Sequence, residues 1–233
     1  MNILSIDTSS RDASIAVLRD EEIVLEYNFS SRQDLSAMLI PSMEFLLCSL
    51  GMKIGQIDLF GVAVGPGLFT GIRIGLTTLK GLNFSAAKPV VGVNTLEALA
   101  CKFSDTKKTV VSMIDARKGE IYLGCYRFAG GEMQELLSPR LLKAAAAVEI
   151  LEPYADRIFV GSGAENHCDF LKSAFPGSKL LYRSNFLASE IGKIALRRFR
   201  RHEYVTHLQD LIPFYIRRPD AETNLARTGS DAH

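Results

Sequence analysis

An apolar run that halts at Gly65-Pro66-Gly67 and restarts as a helix constrains this chain more than any other feature. Residues 59–64 form a continuous apolar stretch of strand length. Gly-Pro-Gly ends it, because glycine is entropically costly in an extended interior and proline lacks the N–H that a ladder or helix needs. Thr70 is expected to cap the helix that follows, along which small residues recur at Gly71, Gly75 and Thr78. The block therefore reads as strand, tight turn, and a helix with one face stripped of side-chain bulk. Such a face admits another backbone at close range. Packing on the chain's own sheet and a surface for a partner or ligand both satisfy that pattern.

The rest of the chain supports a globular reading. It has 233 residues, 47% of them hydrophobic, enough for one large domain or two lobes with real cores. Its 27 basic and 26 acidic residues leave a net charge of +1, which gives no general attraction to nucleic acid or to a membrane surface. Any RNA contact must come from a local patch or through a partner. No apolar run is long enough to span a bilayer, and the opening Met1-Asn2-Ile3-Leu4-Ser5-Ile6-Asp7 lacks the basic start of a signal peptide. Cys48, Cys101, Cys125 and Cys168 are widely spaced, as expected of reduced, mostly buried thiols in a cytoplasmic protein.

Two halves begin alike. A strand at residues 2–6 leads to Asp7-Thr8-Ser9-Ser10 and strands near 13–19 and 23–29. A strand at 109–114 leads to Asp115-Ala116-Arg117-Lys118-Gly119, a strand at 120–128 and a hairpin at Gly130-Gly131. Each half then alternates helix and strand, which predicts an α/β fold of duplicated mixed-sheet lobes. The expected division is an N-terminal lobe at 1–105, a C-terminal lobe at 106–212 and a terminal clasp with a polar tail at 213–233. Leu35, Met38, Leu39, Met43, Leu46, Leu47 and Leu50 trace a helical stripe that Gly51 ends, with Pro41 expected to kink it or mark its first turn. Ile72, Leu76, Leu79 and Leu82 define a second helix to about residue 86. Leu187, Ile191, Ile194, Ala195 and Phe199 define a third. A short strand is expected at 88–93, and another at 158–164 that ends in a glycine turn before a helix from about Glu165.

The candidate chemistry is sparse. Hydroxyls and amides of the Asp7-Thr8-Ser9 turn can hold phosphate; an ordinary Asx turn between strands has the same composition. The matching Asp115 turn continues with Ala116-Arg117-Lys118, too bulky for close phosphate approach. Gly161 and Gly163, flanking Ser162, can border a nucleoside or simply link a strand to a helix. The four histidines, His167, His202, His207 and His233, include no pair at helical ligand spacing, so no metal site is expected. His167-Cys168-Asp169 places its side chains in different directions if helical. The basic run Arg197, Arg198, Arg200, Arg201 and His202 suits a helix C-terminus or a small RNA contact. The aromatic segment from Pro213 to Asp220 is expected to pack on the body of the fold.

Leu4-Ser5-Ile6-Asp7-Thr8-Ser9, the block from Gly65 to Gly75, Asp115-Ala116-Arg117, and Pro213-Phe214-Tyr215-Ile216-Arg217 with Pro219-Asp220-Ala221-Glu222 together resemble the TsaB family, formerly YeaZ. The match runs in order over nearly the whole chain. Leu68 stands where the family usually has serine, and Leu35-Ser36 where a histidine is common. The resemblance implies a two-lobed fold of the actin-like, sugar-kinase and heat-shock ATPase superfamily. It implies a non-catalytic scaffold subunit that pairs with the catalytic paralogue TsaD, together with the ATPase TsaE, in transferring threonylcarbamoyl to N6 of the anticodon-adjacent adenosine of tRNA. TsaD carries a His-x-x-x-His metal pair on its early helix; residues 31–50 here contain no histidine.

By the same resemblance, the first two long helices are the partner surface. Met38, Leu39, Met43, Gly71, Ile72, Gly75, Leu76, Thr78 and Leu79 are its expected contact residues. Asp7, Thr8, Ser9, Gly161 and Gly163 are expected as a vestigial nucleotide site, with no catalytic residue, metal or cofactor. Replacing Gly75 by leucine is expected to abolish pairing and spare the isolated fold. tRNA is reached only through the complex, and a homodimer is expected when the paralogue is absent. The rival readings are an ATP-dependent small-molecule kinase of the same superfamily, which needs two glycine-bearing phosphate loops, and a metalloprotease-like hydrolase, which needs metal ligands.

Overall fold

A computed structural model describes residues 1–30 and 34–216. It contains two five-stranded mixed sheets built on one plan. In the first, β1 (Asn2–Asp7) pairs antiparallel with β2 (Asp12–Arg19), which pairs antiparallel with β3 (Glu22–Ser30). On its other edge β1 runs parallel to β4 (Leu59–Gly65), and β4 parallel to β5 (Val90–Asn94). The second sheet repeats this with β6 (Thr109–Asp115), β7 (Glu120–Ala129), β8 (Glu132–Lys143), β9 (Arg157–Val160) and β10 (Lys179–Leu181). Their orders, β3-β2-β1-β4-β5 and β8-β7-β6-β9-β10, are the same order five elements apart. The duplicated plan expected from two Asp-led turns is present. Strands β1 and β4 are covered on both faces, which is why they read as apolar runs and not as alternations.

Helices and sheets stack in five layers. On the outer face of the first sheet, α1 (Leu35–Ser49) and α2 (Phe69–Ala86) bury Leu39, Met43, Leu46, Ile72, Leu76 and Leu79 against Leu4, Ile6, Ile15 and Val62. Between the sheets lie α3 (Thr95–Cys101) and α7 (Ala188–Arg200). There Ile3, Ala16, Leu18 and Leu59 of one sheet and Val110, Tyr126 and Ile158 of the other meet Leu96, Leu99, Ile191 and Ile194 in a shared core. Beyond the second sheet lie α4 (Ala147–Leu151), α5 (Ser162–Asn166) and α6 (Cys168–Ala174), packed on Val111, Met113, Leu123 and Phe159. Although α7 follows the second sheet in sequence, it packs on β1, β2, β4 and β5 of the first.

Local details depart from the sequence reading at three points. Pro41 neither opens α1 nor ends it; it sits in the helix interior, while Asp34 caps the helix by accepting the Ala37 N–H at 3.3 Å. Thr70 does not cap α2, which starts at Phe69 with Leu68 before it, so Thr70 is an exposed first-turn residue. The sequence reading held no α3, because all seven of its residues are buried and it shows no polar face. Arg217, Asp220 and Glu222 of the terminal segment, and His233, lie outside the described residues.

Candidate functional site

The first Asp-led turn is filled by the chain itself. Thr8 Oγ donates to the Gly71 carbonyl at 2.8 Å, and Leu68 N–H donates to the Ser9 carbonyl at 2.7 Å. A Cβ on Gly75 would stand 2.3 Å from Thr8 Oγ1, and one on Gly71 2.0 Å from the Thr8 carbonyl oxygen. The close approach that the small-residue stripe predicted is therefore real, but the approaching backbone is that of residues 8–9. Asp7 is fully buried, and its Oδ1 accepts the Ser9 N–H at 2.9 Å while Oδ2 has no partner. Burial pushes its carboxyl up to about 6 against the opposing pull of the Ser9 hydrogen bonds.

The second turn is open and differently satisfied. Asp115 Oδ1 accepts the Arg117 N–H at 2.9 Å, and Oδ2 accepts from Asn166 Nδ2 at 3.0 Å. The Ala116 N–H bonds the Glu120 carbonyl, and the Glu120 N–H bonds the Arg117 carbonyl. Arg117 and Lys118 both adopt left-handed backbone, with φ of +60° and +54°. Gly161 and Gly163 serve strand β6: a Cβ on Gly161 would lie 2.5 Å from the Met113 carbonyl oxygen, and one on Gly163 3.0 Å from the Met113 carbonyl carbon.

These turns face one another across a cleft of about 580 Å³, walled by Phe69, Tyr122 and Tyr215. A phosphate cradle presents several unengaged backbone N–H groups at close range. In the first turn the Ser9 amide is engaged, and in the second those of Ala116, Arg117 and Glu120 are, while Gly161 and Gly163 are spent on packing. Asp7, Thr8, Ser9, Gly161 and Gly163, expected as a vestigial nucleotide site, all make contacts that hold the lobes' own turns in shape.

Most of the expected partner residues also pack within the chain. Leu39, Met43, Ile72, Leu76 and Leu79 lie in the monomer's own core, and Gly71 and Gly75 face Thr8. Thr78 is half-buried, and Met38 alone of the set is exposed. Apolar periodicity marks the face a helix buries, and the chain's own sheet claimed it. What α1 and α2 leave to solvent are other apolar side chains: Phe84 at 87% exposure, Phe45 at 60%, Ile40 at 47% and Met38 at 38%. The signal available in the sequence was apolar residues occurring off the main stripe.

The remaining sequence candidates resolve into structure. Arg198 pairs with the buried Glu97 at 2.6 Å and donates to the Gly92 carbonyl, Arg200 pairs with Glu21 at 2.7 Å, and Arg201 pairs with Glu132. Burial raises the Glu97 carboxyl while Arg198 draws it down. Three arginines of the basic run are thus tied into the fold. His167 sits between α5 and α6, and Cys168 Sγ lies 3.9 Å from Asp169 Oδ1 and also interacts with Lys172 and Tyr182. The described part of the aromatic segment does pack: Phe214 N–H bonds the Val64 carbonyl at 2.8 Å, and Arg73 Nε donates to Tyr215 Oη at 2.9 Å while its guanidinium lies over the Phe69 ring. Among the described residues no three His, Cys, Asp or Glu side chains form a metal-binding group, and no helix is long and apolar enough to cross a membrane.

Comparison with known proteins converges on one family. The family model described as TsaD, tRNA N6-adenosine threonylcarbamoyltransferase, matches residues 29–225. The tRNA threonylcarbamoyladenosine biosynthesis protein TsaB of Bacillus subtilis is 28% identical, over 95% of this chain and 96% of that protein. The structure of YeaZ from Pseudomonas aeruginosa superposes with a TM-score of 0.78 at 28% identity, covering 92% of this chain and 99% of that one. A ROK hexokinase from Thermus thermophilus, 10% identical and covering 87% of this chain and 100% of that one, shares the fold alone at a TM-score of 0.52. With two lobes of actin-like, sugar-kinase plan and a family match across most of its length, the chain belongs to the TsaD family and, within it, to the TsaB (YeaZ) group.

Proposed function

We propose that this protein is the accessory subunit of tRNA threonylcarbamoyladenosine biosynthesis, acting in the cytoplasm as a docking platform for a TsaD-type catalytic partner and supplying no acid, base or nucleophile. Its TsaB relatives are named for that pathway, and its family model is named for the transferase. The observation that carries the reading is the exposure of Met38, Ile40, Phe45 and Phe84 on α1 and α2, beside a cleft where the Ser9, Ala116, Arg117 and Glu120 amides are already bonded. Burying Met38, Ile40, Phe45 and Phe84 contributes about 25 cal/mol per Å² of apolar surface, less the cost of immobilising a partner. Methionine and phenylalanine are residues that protein interfaces favour. The ATPase TsaE joins the pair, tRNA meets the assembled complex, and a homodimer covers the same side chains when the partner is absent. Near residues 104–107, between α3 and β6, we place the boundary of the two lobes, and residues 213–216 act as a clasp. The kinase and hydrolase readings have less support, because neither turn is arranged for phosphate and no histidine falls on α1.

Phe84→Asp and Phe45→Asp test the platform. Both side chains are exposed, so thermal stability should change by no more than about 0.5 kcal/mol. Co-elution with the TsaD-type partner in size-exclusion chromatography should be lost, and tRNA modification by the reconstituted proteins with it. Unchanged co-elution would refute the assigned surface.

A further inference from the structure

Beside the interlobe cleft, sharing Ser9, Ser10, Arg11, Ile114 and Ser162 with it, lies a second cavity of about 180 Å³. It has the space of about six bulk waters. One side is apolar: Leu99 of the central helix, Ile114 of β6 and Leu187 before α7. The other carries donors. Thr95 lines it, is almost fully buried, and its hydroxyl has no hydrogen-bond partner. A buried hydroxyl left unpaired is unfavourable, and a ligand or ordered water here would satisfy it. Ser162 Oγ accepts the Asp115 N–H, which leaves its own proton to donate. Arg11 lines the same cavity and forms no ion pair among the described residues. The one acid on the wall, Asp12, has an oxygen occupied by Ser30 Oγ at 2.6 Å. A donor-rich wall opposite an apolar one is the arrangement of a small amphipathic ligand site.

We propose that this side cavity binds a small organic carboxylate, its carboxylate taken by Arg11 and the Thr95 and Ser162 hydroxyls and its carbon body lying on Leu99, Ile114 and Leu187. The guanidinium fork matches a carboxylate in geometry and charge. Inorganic phosphate shares the charge but is smaller than the cavity and leaves the apolar wall uncovered. Bound between β1's turn, the central helix and the segment before α7, such a molecule would touch elements of both lobes at once.

The test titrates the full chain with lactate, malate, glutamate and threonine, and separately with inorganic phosphate, following backbone amide shifts by NMR. At least one carboxylate should saturate, with the largest shifts at Thr95, Leu99 and Ser162, and phosphate should bind more weakly. Arg11→Gln and Thr95→Val should each weaken that carboxylate roughly tenfold. Arg11 is exposed, so its variant tests the site even if the threonine variant fails to fold. No saturable carboxylate, phosphate binding as tightly as any carboxylate, or affinity indifferent to Arg11→Gln would each overturn the proposal.

Discussion

The two Asp-led turns stand at the same place on two sheets of the same order, yet the chain treats them oppositely. Asp7 is sealed under an 18-residue helix whose Gly71 and Gly75 press on Thr8, and one of its oxygens has no partner. Asp115 lies at the cleft, its two oxygens engaged by its own loop and by Asn166, where the helix after β9 has only five residues. The first lobe carries the two longest helices, α1 and α2, and on them Met38, Ile40, Phe45 and Phe84 are exposed. A duplicated plan has thus been used twice for different ends: one copy is built up outward into a surface, the other left lean around a cleft.

The contrast can be broken by substitution. Gly75→Leu should cost roughly 3 kcal/mol or more, since even its Cβ overlaps the Thr8 hydroxyl; urea unfolding measures it. A variant of wild-type stability that has lost only partner binding would restore the earlier view of Gly75 as a contact residue. Asp7 should show itself in the pH dependence of stability. Its folded carboxyl, at about 6, lies above the ordinary value of 3.8, so its contribution is fully present below about 4 and is lost as pH rises to about 6. The loss approaches about 3 kcal/mol, and it should be missing from the pH profile of Asp7→Asn. Equal profiles for the two proteins would mean that burial does not govern this carboxyl. Asp115→Ala, on the open turn, should cost only about 1 kcal/mol, through loss of its bonds to Arg117 and Asn166. The smallest effect is a gain: Gly81 lies on α2 six residues beyond Gly75 with nothing within 4 Å of its would-be Cβ. Gly81→Ala should therefore stabilise by about 0.5–1 kcal/mol.

Much of this architecture was legible in the chain. The strand through Val64, its glycine stop and the helix beyond follow from local chemistry, and two similar openings predicted two similar sheets. A stripe of small residues announces that something comes close, but not what. Gly75 fits Thr8 as well as it would fit a foreign helix, and only the packing of β1 against α2 decides between them. The apolar faces of α1 and α2 were read from periodicity, which carries no label for which surface covers them; in the folded chain their own sheet does. The central helix escaped notice for the opposite reason: buried on every side, it has no period to read. Arg198, Arg200 and Arg201 looked available because Glu97, Glu21 and Glu132 lie far away along the chain.

The return of α7 to the first sheet bears on how the molecule is made. As the chain emerges from the ribosome, β1, β2, β4 and β5 are complete long before residue 188 appears, and one face of their sheet has to wait for its cover. A nascent first half is therefore a bare, sticky intermediate for much of translation, and a gene cut between the lobes should yield an aggregating fragment in place of a working half.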